Sequence, residues 1–437
     1  MRPVAIVDLG FGDAGKGLVT DYLTRALGAG LVVRFNGGAQ AGHNVVTPDG
    51  RHHTFSQLGS GTFVPGVRTH LSRRFVLHPT AMLEEARVLA TNGQADALER
   101  TSVDGEALVV TPFHQAAGRL RELARRERHG SCGVGVGEVM RDATAHALDA
   151  VRVRDLADPR ALVARLERVR ERLHAAIVET GCDSVEGPAA ERERHVLRDR
   201  AFVAAFVDAT RPLLGRISVT SDEIVGDSIR RGERVLFEGA QGVLLDEAWG
   251  FHPYTTWSRC TFANVDELLA ASGSGSPALR VGVARAYAHR HGPGPLPTES
   301  AQLRADLAEP HNVDGPWQGP FRAGWPDLVL ARYARRACGH VDALALTHLD
   351  VTKARPRWPV CASYEAGRVV EWQAVSPDEL HVREEATRRI ARMQPDYRDV
   401  DGADLPQAIS EAYAAPVVLT SRGPTARHVE LVSRAPW

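Results

Sequence analysis

The sequence of 437 residues predicts an α/β fold, in which a large, mainly parallel, twisted sheet is flanked by helices. Three observations support this prediction. Short apolar runs rich in β-branched residues recur along the chain, helical segments lie between them, and glycine-rich turns directly follow the first two runs.

The apolar runs are predicted to be strands that are buried on both faces. They do not alternate between apolar and polar residues, and strands of a parallel sheet are covered by helices on both sides. The predicted strands are residues 4–9, 31–35, 75–78, 108–111, 235–237, 343–347 and 417–420. Because no internal repeat or long linker separates them, we predict one domain covering residues 1–437.

The clearest predicted helix covers residues 159–180. Asp158 is a suitable N-cap, Pro159 fits the first helical position, and Gly181 lies just past the end. Apolar residues at three- and four-residue spacing give this segment one apolar face, made of Leu162, Leu166, Val169, Leu173 and Ile177.

Composition excludes several classes of partner. Lys and Arg number 53 against 54 Asp and Glu, so no bulk positive charge favours nucleic acid or membrane surfaces. No apolar stretch approaches the roughly 20 residues of a membrane span, and residues 1–9 lack the pattern of a secretory signal. The five cysteines form no CxxC pair and are interpreted as free thiols. These features predict a cytoplasmic protein.

The first glycine-rich turn, residues 10–17, predicts a phosphate-binding loop between a strand and a helix-like segment at 18–27. Its spacing matches the G-x-x-x-x-G-K part of a P-loop, with Lys16 as the cation, and so predicts a P-loop-like nucleotide-binding fold. However, Gly17 stands where an ordinary P-loop has Ser or Thr. Asp13, inside the turn, is suited to bind a metal or to act as a base. The alternative is a glycine-rich turn with a surface lysine.

The second glycine-rich turn, residues 36–44, places a histidine at the carboxyl end of a predicted strand. From there His43 can donate a proton to a departing phosphate oxygen. The alternative is a surface or core histidine, which is more common for a single residue of this type.

Six segments of the chain resemble, in the same order, motifs of the adenylosuccinate synthetase family. The two turns resemble GxQWGDEGKGK and GGxNAGHT. Residues 237–254 resemble FEGAQGxLLD…YPYVTSSNTT, residues 292–299 resemble GxGPFPTE, residues 347–350 resemble TKLD, and residues 421–424 resemble STGP. Six ordered matches are far more specific than a single glycine-rich loop.

The resemblance implies a GTP-dependent ligase that forms a C–N bond. In this family GTP phosphorylates the 6-oxygen of IMP, and the amine of aspartate then displaces phosphate. The implied cofactor is Mg²⁺, GTP is a co-substrate, and the partners are small molecules: GTP, an IMP-like acceptor and an amine donor. Family members are homodimers, and we expect the same here.

The resemblance also implies roles for individual residues. Asp13 is the base and a magnesium ligand, His43 the acid, Lys16 the group that holds the transferred phosphoryl group, and Gly42 a further magnesium ligand through its carbonyl. Asp350 accepts the N1 and N2 protons of guanine, although it can also be a solvated residue at a strand end. The implied GTP-binding residues are Gly12, Gly15, Lys16, Gly17, Gly42, His43, Asp350, Ser421 and Gly423. The implied acceptor-binding residues are Asp13, Gln40, Ser131, Cys132, Gln241 and Thr261, and the amine-binding residues are Thr298 and Arg322.

Departures from the family motifs cluster at substrate positions. Gln40 replaces an asparagine, Cys132 a threonine of GTTGRG, Val134 the arginine of the same motif, and His348 the lysine of TKLD. Residues 147–149 align with the segment that lends an arginine across the family dimer, but contain none.

The aspartate-binding loop of the family, TTGRPRRTGW, aligns with residues 316–325, where only Arg322 remains of its arginines. Losing arginines that bind carboxylate groups weakens binding of a dicarboxylic amine, because such contacts are strong and oriented. Trp317 and Phe321 instead predict a different, less charged amine. Three arginines are candidates to replace the missing ones: Arg259, Arg290 and Arg322.

Three functions therefore remain open. The first is a GTP-dependent C–N ligase of this family with an altered amine site. The second is the ordinary IMP–aspartate ligase of purine synthesis, and the third is a GTP-binding regulator without catalysis. The retained Asp13, Lys16 and His43 argue against the regulator, because binding alone requires neither a base nor an acid.

Overall fold

The computed structural model describes residues 2–307, 317–365 and 379–437. Its strands are β1 (Val4–Asp8), β2 (Ala29–Arg34), β3 (His43–Val46), β4 (His52–Phe55), β5 (Arg68–Leu71), β6 (Val76–Leu77), β7 (Thr101–Asp104), β8 (Leu108–Val109), β9 (Ser218–Thr220), β10 (Arg234–Glu238), β11 (Leu279–Arg285), β12 (Ala288–His291), β13 (Phe321–Gly324), β14 (Ala343–Thr347), β15 (Arg357–Tyr364), β16 (Pro395–Asp401), β17 (Val417–Ser421) and β18 (Val429–Leu431).

The α-helices are α1 (Lys16–Leu27), α2 (Pro79–Thr91), α3 (Pro112–Ala124), α4 (Val136–Ala145), α5 (Pro159–Glu179), α6 (Pro188–Arg198), α7 (Ala201–Leu214), α8 (Glu223–Arg230), α9 (Ala263–Ala271), α10 (Ala301–Asp306), α11 (Leu328–Cys338), α12 (Leu380–Ile390) and α13 (Leu405–Tyr413). None of these helices combines the length and apolar character that crossing a membrane requires.

A sheet of ten strands forms the centre, in the order β18-β17-β14-β11-β1-β10-β2-β5-β7-β9. Neighbouring strands run parallel, apart from the antiparallel pair of β17 and β18 at one edge. This arrangement confirms the predicted fold class. Strand β1 lies between β10 and β11, so the turn that follows it opens at the middle of the sheet.

Both faces of β1 are buried, which explains its uninterrupted apolar sequence. Ala5 and Val7 pack into the apolar layer on one face, together with Phe237 of β10. Val4 and Ile6 pack on the other face, in a layer that includes Leu18, Val19 and Leu23 of α1. The helix that follows the first turn is therefore fixed against the strand that precedes it.

The predicted helix at 159–180 is confirmed as α5. The Asp158 side chain accepts hydrogen bonds from the backbone N–H groups of Arg160 and Ala161, at 3.0 and 3.1 Å. Two strand predictions were wrong in part, since the strands predicted at 75–78 and 108–111 shorten to β6 and β8. These two pair with each other outside the central sheet.

Candidate active site

A cavity of about 530 Å³ opens at the carboxyl ends of β1, β2, β10, β11, β14 and β17. In a parallel sheet these ends lie along one edge, where ligands of such folds bind. Twelve of the predicted site residues contribute to its wall: Gly12, Asp13, Gly15, Lys16, Gly17, Gln40, Gly42, His43, Gln241, Asp350, Ser421 and Gly423. Within the described part of the chain, five others lie outside this wall: Ser131, Cys132, Thr261, Thr298 and Arg322.

Asp8, at the end of β1, organises the first turn. Its Oδ1 accepts hydrogen bonds from the backbone N–H groups of Gly10 and Gly12, at 2.8 and 3.3 Å. Its Oδ2 accepts from the N–H of Ala14 at 2.7 Å and from Nζ of Lys16 at 3.0 Å. The Asp8–Lys16 ion pair is buried, so the ammonium group is held at the base of the cavity. Asp8 lies outside the motifs that predicted the site, although an acid at a strand end before a glycine turn is a recognisable signal.

Close packing explains why position 17 is a glycine. A Cβ atom placed there would lie 2.8 Å from the carbonyl oxygen of Asn44 and 3.1 Å from Cβ of His43. The first turn of α1 therefore packs directly on the second glycine-rich turn. This close approach explains the absence of the Ser or Thr that an ordinary P-loop has, and it places Lys16 and His43 on adjoining walls of the same cavity.

Asp13 has a backbone φ of 52°, in the left-handed region that few residues other than glycine adopt. Nε of Arg285 donates a hydrogen bond to its carbonyl oxygen at 2.8 Å, and its Oδ2 lies 3.2 Å from Nε2 of His291. Burial raises the pKa of the Asp13 carboxyl, but the hydrogen bond and charge of His291 outweigh burial and leave that pKa below its ordinary value. The Asp13 carboxyl is therefore ionised at neutral pH.

His43 is buried, and its Nδ1 lies 2.7 Å from Oε1 of Glu238. Burial lowers the pKa of His43, with a further contribution from the charge of Arg34. Burial also raises the pKa of Glu238, but His43, Arg34 and Ser60 outweigh it and lower that pKa to about 2. Since an ionised Glu238 accepts the Nδ1 proton, the Nε2 atom is the one that remains for a ligand. This buried Nε2 has no hydrogen-bond partner among the described residues.

The wall formed by the ends of β14 and β17 contains the residues predicted to bind the nucleotide base. Asp350 contributes to this wall together with Ser421 and Gly423. It is exposed, which is also consistent with the alternative of a solvated residue at a strand end. His348 precedes it with a φ of 59° and lies with Nδ1 2.9 Å from Oγ1 of Thr347. Burial and the charge of Arg285 place the pKa of His348 well below its ordinary value, so this side chain is neutral.

The predicted acceptor residues are divided between the cavity and its surroundings. Gln40 lies in the wall, and neither its Oε1 nor its Nε2 has a hydrogen-bond partner among the residues that the structure describes. Ser131 and Cys132 lie in the turn before α4, where the backbone N–H groups of Gly130 and Ser131 donate to the carboxylate of Glu122. Thr261 is buried beyond the wall and accepts a hydrogen bond from the N–H of Ala263.

The arginines considered for carboxylate binding have protein partners. Nε of Arg322 donates to Glu299 at 2.9 Å, and its Nη1 donates to the carbonyl oxygens of Gly292 and Gly294. Arg259 donates to Glu267 at 2.6 Å.

Arg290 is buried, donates to three backbone carbonyl oxygens and lies 4.5 Å above the ring of Phe11. Phe321 packs against His289 and His291, with ring centroids 5.9 and 5.2 Å apart. Residue 316 of the predicted amine loop lies outside the described residues.

Comparison with known proteins gives the family. The model of the adenylosuccinate synthetase family matches residues 5–425. The adenylosuccinate synthetase of Mycobacterium leprae is 32% identical over 409 residues, which cover 92% of this chain and 87% of that protein. A relative of the same name from Mycobacterium sp. strain KMS is 32% identical over 411 residues, with the same coverage. The chain belongs to the adenylosuccinate synthetase family. It is therefore a ligase of the type that forms a C–N bond at the expense of GTP.

Two solved structures have the same fold as this adenylosuccinate synthetase homologue. A fully ligated adenylosuccinate synthetase from Plasmodium falciparum superposes with a TM-score of 0.77 and 22% identity, covering 99% of this chain and all of that one. The succinoaminodeoxyadenylate synthetase PurZ of cyanophage S-2L, bound to dGMP and dATP, has a TM-score of 0.61 and 18% identity, covering 99% and 96% of the two chains. At these identities the likeness establishes the fold.

Proposed function

We propose that this protein uses GTP and Mg²⁺ to phosphorylate the carbonyl oxygen of IMP or an IMP-like acceptor, after which an amine displaces the phosphate. One observation carries the proposal: Asp13, Lys16 and His43 contribute to the wall of a single cavity. Phosphoryl transfer depends mainly on positioning and charge stabilisation, and these side chains supply an acid, a base and a cation for it.

The roles follow from the environment of each group. The ionised Asp13 accepts the ring proton of the acceptor, which makes the carbonyl oxygen a nucleophile. Nε2 of His43 faces the phosphate oxygen that leaves with GDP. A bound phosphate raises the pKa of His43, because negative charge beside an imidazole favours its protonated form. Lys16 neutralises charge on the transferred group from its position beside Asp8.

The oxygen atoms of Asp13 and Gly42 are suited to bind a magnesium ion. The Asp13 carboxylate is 36% exposed, and Gly42 contributes to the same wall. Among the described residues, no three His, Cys, Asp or Glu side chains form a metal cluster, and Mg²⁺ typically needs only one or two carboxylates together with substrate phosphates. When bound, the ion would neutralise phosphate charge. Asp350 would select guanine, because a carboxylate can accept two N–H groups that adenine does not present.

We further propose that residues 1–437 act as one unit and that the protein is a homodimer. We expect it in the reducing cytoplasm, which suits its five free cysteines. Leu148, in the segment aligned with the cross-dimer loop, is 94% exposed, which supports an interface there.

Phosphate release with GTP, Mg²⁺, IMP and a panel of amines tests the proposed reaction. We expect release that depends on both IMP and one amine, and loss of turnover in Asp13→Asn with GTP binding retained in part. Tight GTP binding without release for any acceptor and amine would favour the regulator. Unchanged turnover of Asp13→Asn would contradict the role of the base.

A second candidate concerns the amine. Arg259, Arg290 and Arg322 are all engaged by protein groups, which supports a donor less charged than aspartate. The same assay separates the alternatives. Turnover with aspartate at micromolar concentration would identify the ordinary IMP–aspartate ligase, whereas turnover with a neutral amine at the same concentration would identify an altered one.

A further inference from the structure

The turn around Asp13 is held at three points, and the third is a side chain to which the family motifs assign no role. The first is Arg285, whose Nε donates to the Asp13 carbonyl oxygen at 2.8 Å. The second is Thr347, whose Oγ1 donates to the carbonyl oxygen of Ala14 at 2.7 Å. The third is His291, whose Nε2 lies 3.2 Å from Oδ2 of Asp13.

The first two contacts fix the backbone of the turn but leave the carboxylate plane undetermined. The χ2 torsion of aspartate joins an sp³ to an sp² carbon, and its energy profile is broad. A base must present one oxygen lone pair to the proton that it removes, so the orientation of the plane matters for the rate. His291, unlike Arg285 and Thr347, contacts the carboxylate itself.

His291 is more buried than the carboxylate that it contacts. Its side chain is 11% exposed, against 36% for Asp13. It lies at the end of β12, in register with Phe321 of β13, and its ring packs against the Phe321 ring at 61°. An imidazole packed in this way can orient a more exposed neighbour.

We infer that His291 is a positioning residue, which holds Oδ2 of Asp13 and thereby directs Oδ1 towards the proton of the acceptor. This inference rests on the proposed function, since it gives Asp13 the task of a base. The contribution is one of orientation, and His291 itself need not exchange a proton during the reaction.

The test compares two substitutions at this position. His291→Leu removes the hydrogen bond, and we expect kcat to fall about 10- to 100-fold, the range that small misplacements of reacting groups produce. His291→Gln keeps an N–H donor of similar reach, and we expect kcat to return to within about threefold of the wild type. The KM for GTP should change less than about twofold in both variants, because neither alters the phosphate contacts.

His340→Leu is a matched control, since Nε2 of His340 lies 3.0 Å from Oδ1 of Asp342 outside the cavity. Its kcat should equal that of the wild type. Thermal unfolding and GTP binding of every variant show whether it has folded. If one His291 variant does not fold, the other decides through its kcat and KM.

The inference would be overturned by wild-type kcat in His291→Leu, or by an equal loss of kcat in folded His291→Gln and His291→Leu. An effect on KM for GTP alone would also overturn it. Absence of turnover in the wild type with every acceptor and amine would instead refute the proposed function, so the two failures are distinguishable.

Discussion

Nδ1 of His43 lies 2.7 Å from Oε1 of Glu238, and both side chains are buried. Ser60 completes the arrangement, because its backbone N–H donates to Oε2 of Glu238 at 2.9 Å and its hydroxyl donates to Oε1. The Glu238 carboxylate thus accepts hydrogen bonds from both His43 and Ser60. A histidine held in this way has a defined tautomer, with Nδ1 protonated and Nε2 directed away from Glu238.

Glu238→Gln should lower kcat about 10- to 100-fold, as the loss of a group that orients a functional histidine typically does. The amide cannot accept hydrogen bonds at both of its terminal atoms, so it disturbs either Ser60 or His43. Steady-state kinetics should show a KM for GTP within about twofold of the wild type. Glu84→Gln, at an exposed pair with Arg87, is the control, and an equal effect in both variants would refute the assignment.

Asp8→Asn should lower the free energy of unfolding by about 3 kcal/mol, because it leaves the buried Lys16 ammonium without its counter-charge. Urea denaturation followed by circular dichroism measures this change. Asp49→Asn removes an exposed carboxylate beside Arg51 and should change the same quantity much less, because exposed ion pairs contribute little to stability. If the two substitutions have equal effects, Asp8 does not organise the turn.

Asp350→Ala should raise the KM for GTP at least about 10-fold and leave weak activity with ATP unchanged, because the lost carboxylate contacts only guanine in the proposed pose. The ratio of kcat/KM for GTP to that for ATP measures this effect. Asp399→Ala, at an exposed position of β16, should leave the ratio as it is. An unaltered ratio in Asp350→Ala would support the solvated alternative.

The pH dependence of stability should reflect histidines that stay neutral in the fold. Burial and the charge of Arg285 keep the pKa of His289 well below its ordinary value. Below about pH 6.5 the unfolded chain gains a proton that folded His289 does not, so stability falls as the pH falls. Burial raises the pKa of Asp327 to about 6, and this group makes stability rise as the pH falls. The contribution of His289 is therefore measured by comparing a His289 variant with the wild type.

We therefore expect the free energy of unfolding to fall less between pH 7.5 and pH 5.5 in His289→Asn than in the wild type. Urea denaturation at the two pH values measures this change. The expected difference is about 1 kcal/mol for a histidine that remains neutral in the fold. Identical pH dependence in the wild type and His289→Asn would show that His289 titrates normally.

Sequence patterns predicted the strands that carry the two turns because these strands are apolar on both faces. They did not predict β5 and β7, whose buried polar residues need partners that are distant in sequence. His70 of β5 is one of these, with Nε2 3.0 Å from Oδ1 of Asp222 and Nδ1 2.9 Å from Oγ of Ser102. Such a residue resembles a surface residue until the fold supplies its partner.

The residues of the candidate site also divide into those that a local pattern predicts and those that it does not. Asp13, Lys16 and His43 lie in glycine turns that a motif can detect, and the structure brings all three to one cavity. His291 is 278 residues from Asp13 along the chain, and no local pattern connects them. Arg322 was predicted at an amine site through a motif, but its side chain lies against Glu299, because contact is decided by side-chain direction as well as by alignment. Its role in amine binding stays a prediction.

The position of β1 in the sheet affects how the chain reaches its native state. Val4 pairs with Leu236 of β10 on one side and with Leu279 of β11 on the other. During synthesis β1 must therefore wait for β10, which lies more than 220 residues further along the chain. Pairings of such high contact order form slowly, and an apolar strand that waits unpaired is prone to aggregate. Heterologous expression should therefore gain from slow synthesis at low temperature and from added chaperones.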